Sequence, residues 1–330
     1  MDRLRLFFFE FAAVLAVLPA NAETLIKFHV KGAKYTYASA INSTGAVAGT
    51  YSLADSAPHG FVRLHTAQIV TFDPPGSIWT TPVGINDSGV IVGYYYDPAG
   101  VIHGFVRDAS GNFTAFDAPQ STQTMPAGIN NAGEIVGVFE AGSSVSHGFV
   151  RSPDGAIISN DLPGAAEMYN RGINRNGAIT GWRLDSGGIV RGFRFSPQGT
   201  ASKFEVLRSS GTFPEALNNS GVTVGYYLDD ADMAHGFLRT AQGIVTSFDP
   251  PKSFGTVPLG INDSGVVAGS YEIYFASANY QGFIRDQAGN IVIVNVPPYY
   301  GTYVAAINKV SWITGSFQTA DGVQSFIMKP

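Results

Sequence analysis

The sequence predicts an all-β protein: a seven-bladed β-propeller of four-stranded antiparallel blades. Three observations lead there. Ile/Leu-Asn dipeptides begin at residues 41, 85, 129, 173, 217, 261 and 307, in five steps of 44 and a last one of 46. Each unit divides into four short β-rich runs separated by turn residues, the signature of propeller blades. The seventh unit stops before its fourth run, whereas residues 24–30 precede the first unit and align with that missing run. The N-terminal strand is therefore expected to complete the last blade and close the ring, leaving no open edge to cap. Deleting residues 23–30 should then destabilise or aggregate the protein. A helical solenoid is excluded by the glycines and the alternation; an open β-solenoid shares the period but does not fix the repeat number.

The second unit shows how each element arises. Its first strand is expected over 81–86 and runs into Asn86-Asp87-Ser88-Gly89, where Asn tolerates turn geometry and Gly supplies positive φ. Only Ser311 replaces that glycine. The second strand, 90–96, is β-branched and aromatic. A glycine stands seven places after every Asn, from Gly49 and Gly93 to Gly315, and is read as a point where neighbouring sheets approach. The third strand starts at His103-Gly104-Phe105 and ends at Arg107. A turn at 109–111 leads to the fourth, 113–117, closed by Pro119.

The chain ends and composition set the context. Arg3 and Arg5 precede an apolar run from Leu6 to Leu18 and the triplet Ala20-Asn21-Ala22, which reads as a signal peptide over residues 1–22 cleaved after Ala22. That run is too short for a membrane anchor. The remaining 308 residues equal seven repeats of 44, so 23–330 is expected to be a single propeller domain, secreted to the extracellular space or periplasm. There are no cysteines, so packing and not disulfides must hold the fold. A net charge of −5 with no basic run argues against nucleic acid and against an anionic membrane surface. No cofactor, no metal and a monomeric state are expected.

These residues resemble the HAF repeat of predicted extracellular bacterial proteins, whose pattern is similar to Gly-Ile-Asn-x-x-Gly-x-Ile-Val-Gly followed by His-Ala/Gly-Phe. The resemblance covers residues 24–330; Arg191, Gln281 and Gln324 stand where the family has His. It implies a propeller-like fold and an extracellular or cell-surface location, and offers no catalytic residues to carry over.

What repeats is scaffold, and what varies is the place to look for function. His59, His103, His147 and His235 each have an Asp fourteen places on: Asp73, Asp117, Asp161 and Asp249. Where His becomes Arg191 the partner becomes Glu205, and where it becomes Gln281 the partner becomes Asn295. Each change keeps the pair chemically matched, so these are read as structural cross-strand pairs and not as metal ligands. In the last blade Gln324 would meet His29. Phe61, Phe105 and their five counterparts are core, the aromatics nine places after Asn are packing, and the arginines at 63, 107, 151, 239 and 285 are read as edge pairs or a solvated stripe. Asn-x-Ser/Thr triplets are turn residues before they are glycosylation acceptors.

Loops between second and third strands, and between blades, share one face and are the expected ligand site. Trp79, Tyr94, Tyr96, Asp97, Trp182, Asp185, Tyr226 and Asp229 are the candidate binding residues, with Asp230, Asp232, Glu272, Tyr274, Tyr299 and Tyr300 on the same face. Aromatic rings stack on pyranose faces and carboxylates accept from hydroxyls, which suits a glycan. The expected function is a secreted, non-catalytic binding propeller for a glycan or a cell-surface protein. A polysaccharide hydrolase or lyase using Asp185 with Asp229 or Asp230, and a structural envelope component, are the competing readings. The run 229–232 lacks the residue order of a calcium loop and reads as a solvated acidic turn.

Overall fold

The computed structural model describes residues 24–54, 56–142, 145–273, 280–298 and 301–329. The expected signal peptide, and Tyr274, Tyr299 and Tyr300, lie outside them. The described residues form 28 strands and no helix, from β1 (Thr24–Phe28) to β28 (Gly322–Lys329). In the second repeat β6 (Trp79–Ile85), β7 (Ile91–Tyr96), β8 (Ile102–Arg107) and β9 (Phe113–Phe116) pair antiparallel in chain order. The other repeats copy this arrangement, and single parallel bridges, Val190 with Gly211 and Tyr35 with Val323, join two pairs of such units into wider sheets. The N-terminal β1 pairs antiparallel with β28, Phe28 opposite Ser325.

The first strand of every repeat is bulged near its end, at Pro82/Gly84 in β6 and at the matching positions elsewhere. The bulge explains the glycine seven places after Asn, and corrects its expected role. A Cβ on Gly93 would lie 2.2 Å from the Thr81 carbonyl oxygen and 2.8 Å from the Phe105 ring, both in its own sheet. The close approach is thus within one blade and not between neighbours. Phe61, Phe105, Phe149, Phe193, Phe237, Phe283 and Phe326 sit under these glycines, fully buried. Each contributes about 1.5–3 kcal/mol by leaving water.

Two further devices join one repeat to the next. The recurring arginines, expected to be edge or solvated, instead lie over the Phe of the preceding repeat's last strand: Arg63 over Phe28, Arg107 over Phe72, Arg151 over Phe116, Arg239 over Phe204 and Arg285 over Phe248, at 4.5–5.2 Å from the ring centroid. Burial lowers the pKa of Arg63, Arg107, Arg151 and Arg239. The contact is a cation–π bond across the seam, which solvation alone would not produce.

The second device is the buried asparagine. Its Oδ1 accepts backbone N–H groups of its own turn, as Asn174 does from Asn176 and Ala178 at 3.0 and 2.9 Å. Its Nδ2 donates to the backbone carbonyl of the next repeat's asparagine, from Asn42 to Asn86, on through Asn130, Asn174, Asn218, Asn262 and Asn308, and from Asn308 to Asn42, at 2.9–3.4 Å. Ser311, held at φ 64° where the other turns have Gly, adds its hydroxyl as a second acceptor for Asn262 at 2.9 Å.

Candidate functional site

The first strands, β2 (Tyr35–Ile41), β6, β10 (Ser121–Ile129), β14 (Ala165–Ile173), β18 (Gly211–Leu217), β22 (Ser253–Ile261) and β26 (Thr302–Ile307), all contribute to the wall of one cavity of about 640 Å³. Three residues before each asparagine, the side chain at this wall is Ser39, Val83, Ala127, Leu259 or Ala305 in five repeats. In the other two it is Arg171 and Glu215. Their ends meet, with Arg171 Nε and Nη2 at 2.9 and 2.7 Å from Glu215 Oε2. The Glu215 side chain is only 9% exposed, against 44% for Arg171. Burial raises the Glu215 pKa and the Arg171 charge opposes that rise.

Two residues further up each first strand the repeats differ again, and here the wall turns aromatic. Tyr169 stacks on Trp182 at 3.8 Å, Trp182 meets the edge of Phe213 at 5.7 Å, and Phe213 lies parallel to Tyr226 at 4.8 Å. A second cluster joins Trp79 to Tyr96 at 5.7 Å and Tyr96 to Tyr94 at 6.4 Å. Trp79 is 43% exposed and its indole N–H donates to Thr81 Oγ1 at 3.0 Å. Tyr94 and Tyr169, one from each cluster, both line the cavity. Tyr37 and Tyr303 occupy the same register as Tyr169 and are exposed.

Of the sequence candidates, then, Trp79, Tyr94 and Tyr96 are brought together, and so are Trp182 and Tyr226. Trp79, Tyr94, Tyr96, Trp182 and Tyr226, expected on loops, lie on strands, and so do Tyr169, Arg171, Phe213, Glu215 and Tyr303, which the sequence reading does not name. The signal was present: aligned on the asparagine, these positions vary where the core positions do not.

The carboxylates fare differently. Asp97, Asp185 and Asp229 cap their own loops, accepting the N–H groups of Val101, of Gly187 and Ile189, and of Ala231 and Met233 at 2.8–3.0 Å. Each also faces the recurring His or Arg: Asp97 lies 3.6 Å from His103, Asp185 2.8 Å from Arg191, Asp229 3.3 Å from His235. These bonds lower all three pKa values. The Arg191 hydrogen bond leads for Asp185, which is held at about 2, and backbone N–H groups lead for Asp97 and Asp229. Asp230, Asp232 and Glu272 are exposed.

The cross-strand pairs stand at hydrogen-bond distance: His59 with Asp73 (2.8 Å), His103 with Asp117 (2.9 Å), His147 with Asp161 (2.6 Å), His235 with Asp249 (2.7 Å), and Arg191 with Glu205. Four of the aromatics nine places after Asn lie against these imidazoles, Phe139 stacked on His147 at 5.1 Å and the others tilted, as Tyr95 is to His103 at 5.2 Å. Gln281 departs from the scheme. Its amide oxygen accepts from the Tyr271 hydroxyl, and no hydrogen bond among the described residues joins it to Asn295. Tyr271 stands directly opposite Gln281 in the sheet, as Tyr95 stands opposite His103, and here the amide oxygen takes its hydroxyl.

At the opposite mouth the residues after each asparagine form a polar rim whose members bond to one another. Asp87 accepts from the Ser43 N–H, from Asn131 Nδ2 and from Lys309 Nζ. Asp263 accepts from the Asn219 N–H and Nδ2. That rim is occupied by its own hydrogen bonds, so the aromatic mouth is the better candidate site.

No protein-family model matches the sequence, and no curated protein matches it. The fold has solved counterparts. It is similar to virginiamycin B lyase from Staphylococcus aureus, at 12% identity over 93% of this chain and 100% of that one, with a TM-score of 0.60. It is also similar to the β-propeller domain of the Trilobed protease from Pyrococcus furiosus, at 11% identity over 89% and 95% of the two chains and a TM-score of 0.61. TolB from Acinetobacter baumannii aligns at 14% identity over 86% and 80%, with a TM-score of 0.50. The chain is an all-β β-propeller.

Proposed function

We propose that this β-propeller is an exported, non-catalytic binding protein of the HAF type, its seven repeats closed into a ring by β1. Its aromatic channel mouth takes a glycan, carried free or on a cell-surface protein. The observation that carries this reading is the break in symmetry. Seven copies share one core and one hydrogen-bonding scheme, yet the cavity wall carries the Arg171–Glu215 pair together with Tyr94 and Tyr169, each the inner member of an aromatic cluster. Rings with exposed faces beside hydroxyls and charges are the surfaces on which sugars stack and bond.

The hydrolase reading needs one carboxylic acid whose pKa is raised. Asp185 and Asp229, its expected residues, have lowered values and are engaged with their own loops. Glu215, whose pKa burial raises, is tied to Arg171 and has no second carboxylate beside it among the residues lining the cavity, which supports binding without turnover.

The test is binding of residues 23–330 to an array of glycans, compared with the Trp79→Ala/Tyr303→Ala double variant. Both residues are partly exposed, at 43% and 40%, and lie outside the buried core, so the fold should be kept while binding falls at least about 10-fold. Trp182 is less useful, because it packs between Tyr169 and Phe213 and its loss would disturb the wall itself. Unchanged affinity in the double variant would move the site elsewhere.

A further inference from the structure

We infer that the Arg171–Glu215 pair is the recognition point of the cavity, and that the ligand it selects is an acidic saccharide whose carboxylate docks on Arg171. This deepens the glycan reading above and rests on it.

The scaffold does not require the pair. Five repeats close the same wall with a serine or an apolar side chain, and each repeat's core and asparagine bond are made without it. Burying a carboxylate is costly, and replacing such pairs by apolar groups is often neutral or stabilising, so the pair's presence calls for a reason other than stability.

Its geometry leaves binding capacity on the cavity side. Arg171 meets Glu215 through the Nε/Nη2 edge of the guanidinium, both contacts falling on Oε2. Among the described residues no hydrogen bond reaches Nη1 or Glu215 Oε1. The end-on edge of the guanidinium is therefore open, and a carboxylate can accept two parallel N–H bonds there. Glu215 fixes the guanidinium in place, so little side-chain freedom is lost on binding. Oε1 remains to accept from a neighbouring ring hydroxyl.

The surroundings fit a sugar ring better than a simple anion. Tyr226 and Tyr303 lie within the field of the pair: burial raises both hydroxyls, the Glu215 charge adds to the rise and Arg171 opposes it. Tyr169, whose hydroxyl donates to Glu167 at 2.8 Å, lines the wall two residues above Arg171. A cavity of about 640 Å³ accommodates a short oligosaccharide.

The experiment is calorimetric titration of residues 23–330 with oligogalacturonate and oligoglucuronate, each against its carboxyl-reduced neutral counterpart. The acidic forms should bind at least about 10-fold more tightly, the worth of one charge-assisted bidentate contact. In Arg171→Gln/Glu215→Gln, which leaves no buried charge unpaired, that preference should vanish. Glu215→Gln alone keeps the arginine and, through its amide oxygen, the acceptor that holds it, while removing a competing charge, so it should tighten acid binding several-fold. A preference that survives the double variant, or weaker acid binding in Glu215→Gln, would overturn the inference. Binding of the neutral oligomers alone would overturn it too while leaving the glycan reading intact, and binding of no saccharide would remove both.

Discussion

Replacing Asn174 by alanine tests the hydrogen-bond chain between repeats at its cleanest point. The side chain is 6% exposed and makes three bonds. The Asn176 N–H is exposed and returns to water at little cost. The Ala178 N–H is buried and loses its acceptor, a penalty of about 1–3 kcal/mol. The Asn218 carbonyl loses one donor but keeps the Gly221 N–H at 3.0 Å, so that loss is about 1 kcal/mol. The expected sum is about 2–4 kcal/mol, read from the urea midpoint by circular dichroism at unchanged slope. Asn174→Asp adds a sign. The second carboxylate oxygen would face the Asn218 carbonyl, so the folded state raises the pKa of the new acid. Stability relative to wild type should be best below pH about 4, where the protonated acid can donate, and fall as pH rises through the folded pKa. A loss under about 0.5 kcal/mol in the alanine variant, or a pH-independent deficit in the aspartate variant, would refute the reasoning.

Three other substitutions probe separate contacts. Gly181→Ala places a Cβ 2.0 Å from the Tyr169 carbonyl oxygen and should cost more than about 3 kcal/mol in urea unfolding, whereas Gly128→Ala, whose Cβ meets nothing nearer than 4.0 Å, should change stability by less than about 1 kcal/mol. Arg107→Met and Phe72→Leu should show a coupling of about 0.5–2 kcal/mol in a double-mutant cycle; additive effects would mean the arginine only packs. Asp185→Asn removes a carboxylate held at about 2. A lowered acid stabilises above its unfolded pKa and loses that contribution as pH falls through the folded value. The variant should therefore be less stable than wild type at pH 7, with the gap narrowing as pH falls through about 2.

Strand order, turn positions and the buried phenylalanines were legible because each follows from spacing: a period of 44, an Asn-x-x-Gly turn, a residue that never varies. What a residue does with its second hydrogen-bonding atom was not legible. Asn in a turn explains Oδ1 completely, and nothing in one sequence says that Nδ2 reaches the next repeat. The arginines show the same limit, since a cation every 44 residues fits solvent or a ring equally until the preceding repeat's Phe is placed beneath it. The loop-capping bonds of Asp97, Asp185 and Asp229 were illegible for a related reason. A carboxylate in a loop looks available for ligands, but these accept from their own backbone first. Arg171 and Glu215 were not legible because the wall of the cavity is made of strands, and nothing in one sequence says which strand positions face it.

The asparagine bonds all run in one direction, each repeat donating to its successor and accepting from its predecessor, with the bond from Asn308 to Asn42 as short as any. Every repeat thus brings one donor and one acceptor. A gene that gains or loses a whole copy adds or removes both together and orphans neither. Tandem duplication can therefore lengthen or shorten such a chain without leaving a buried amide unmet, and moving the chain's ends to another turn would leave every member of the series with the same two neighbours.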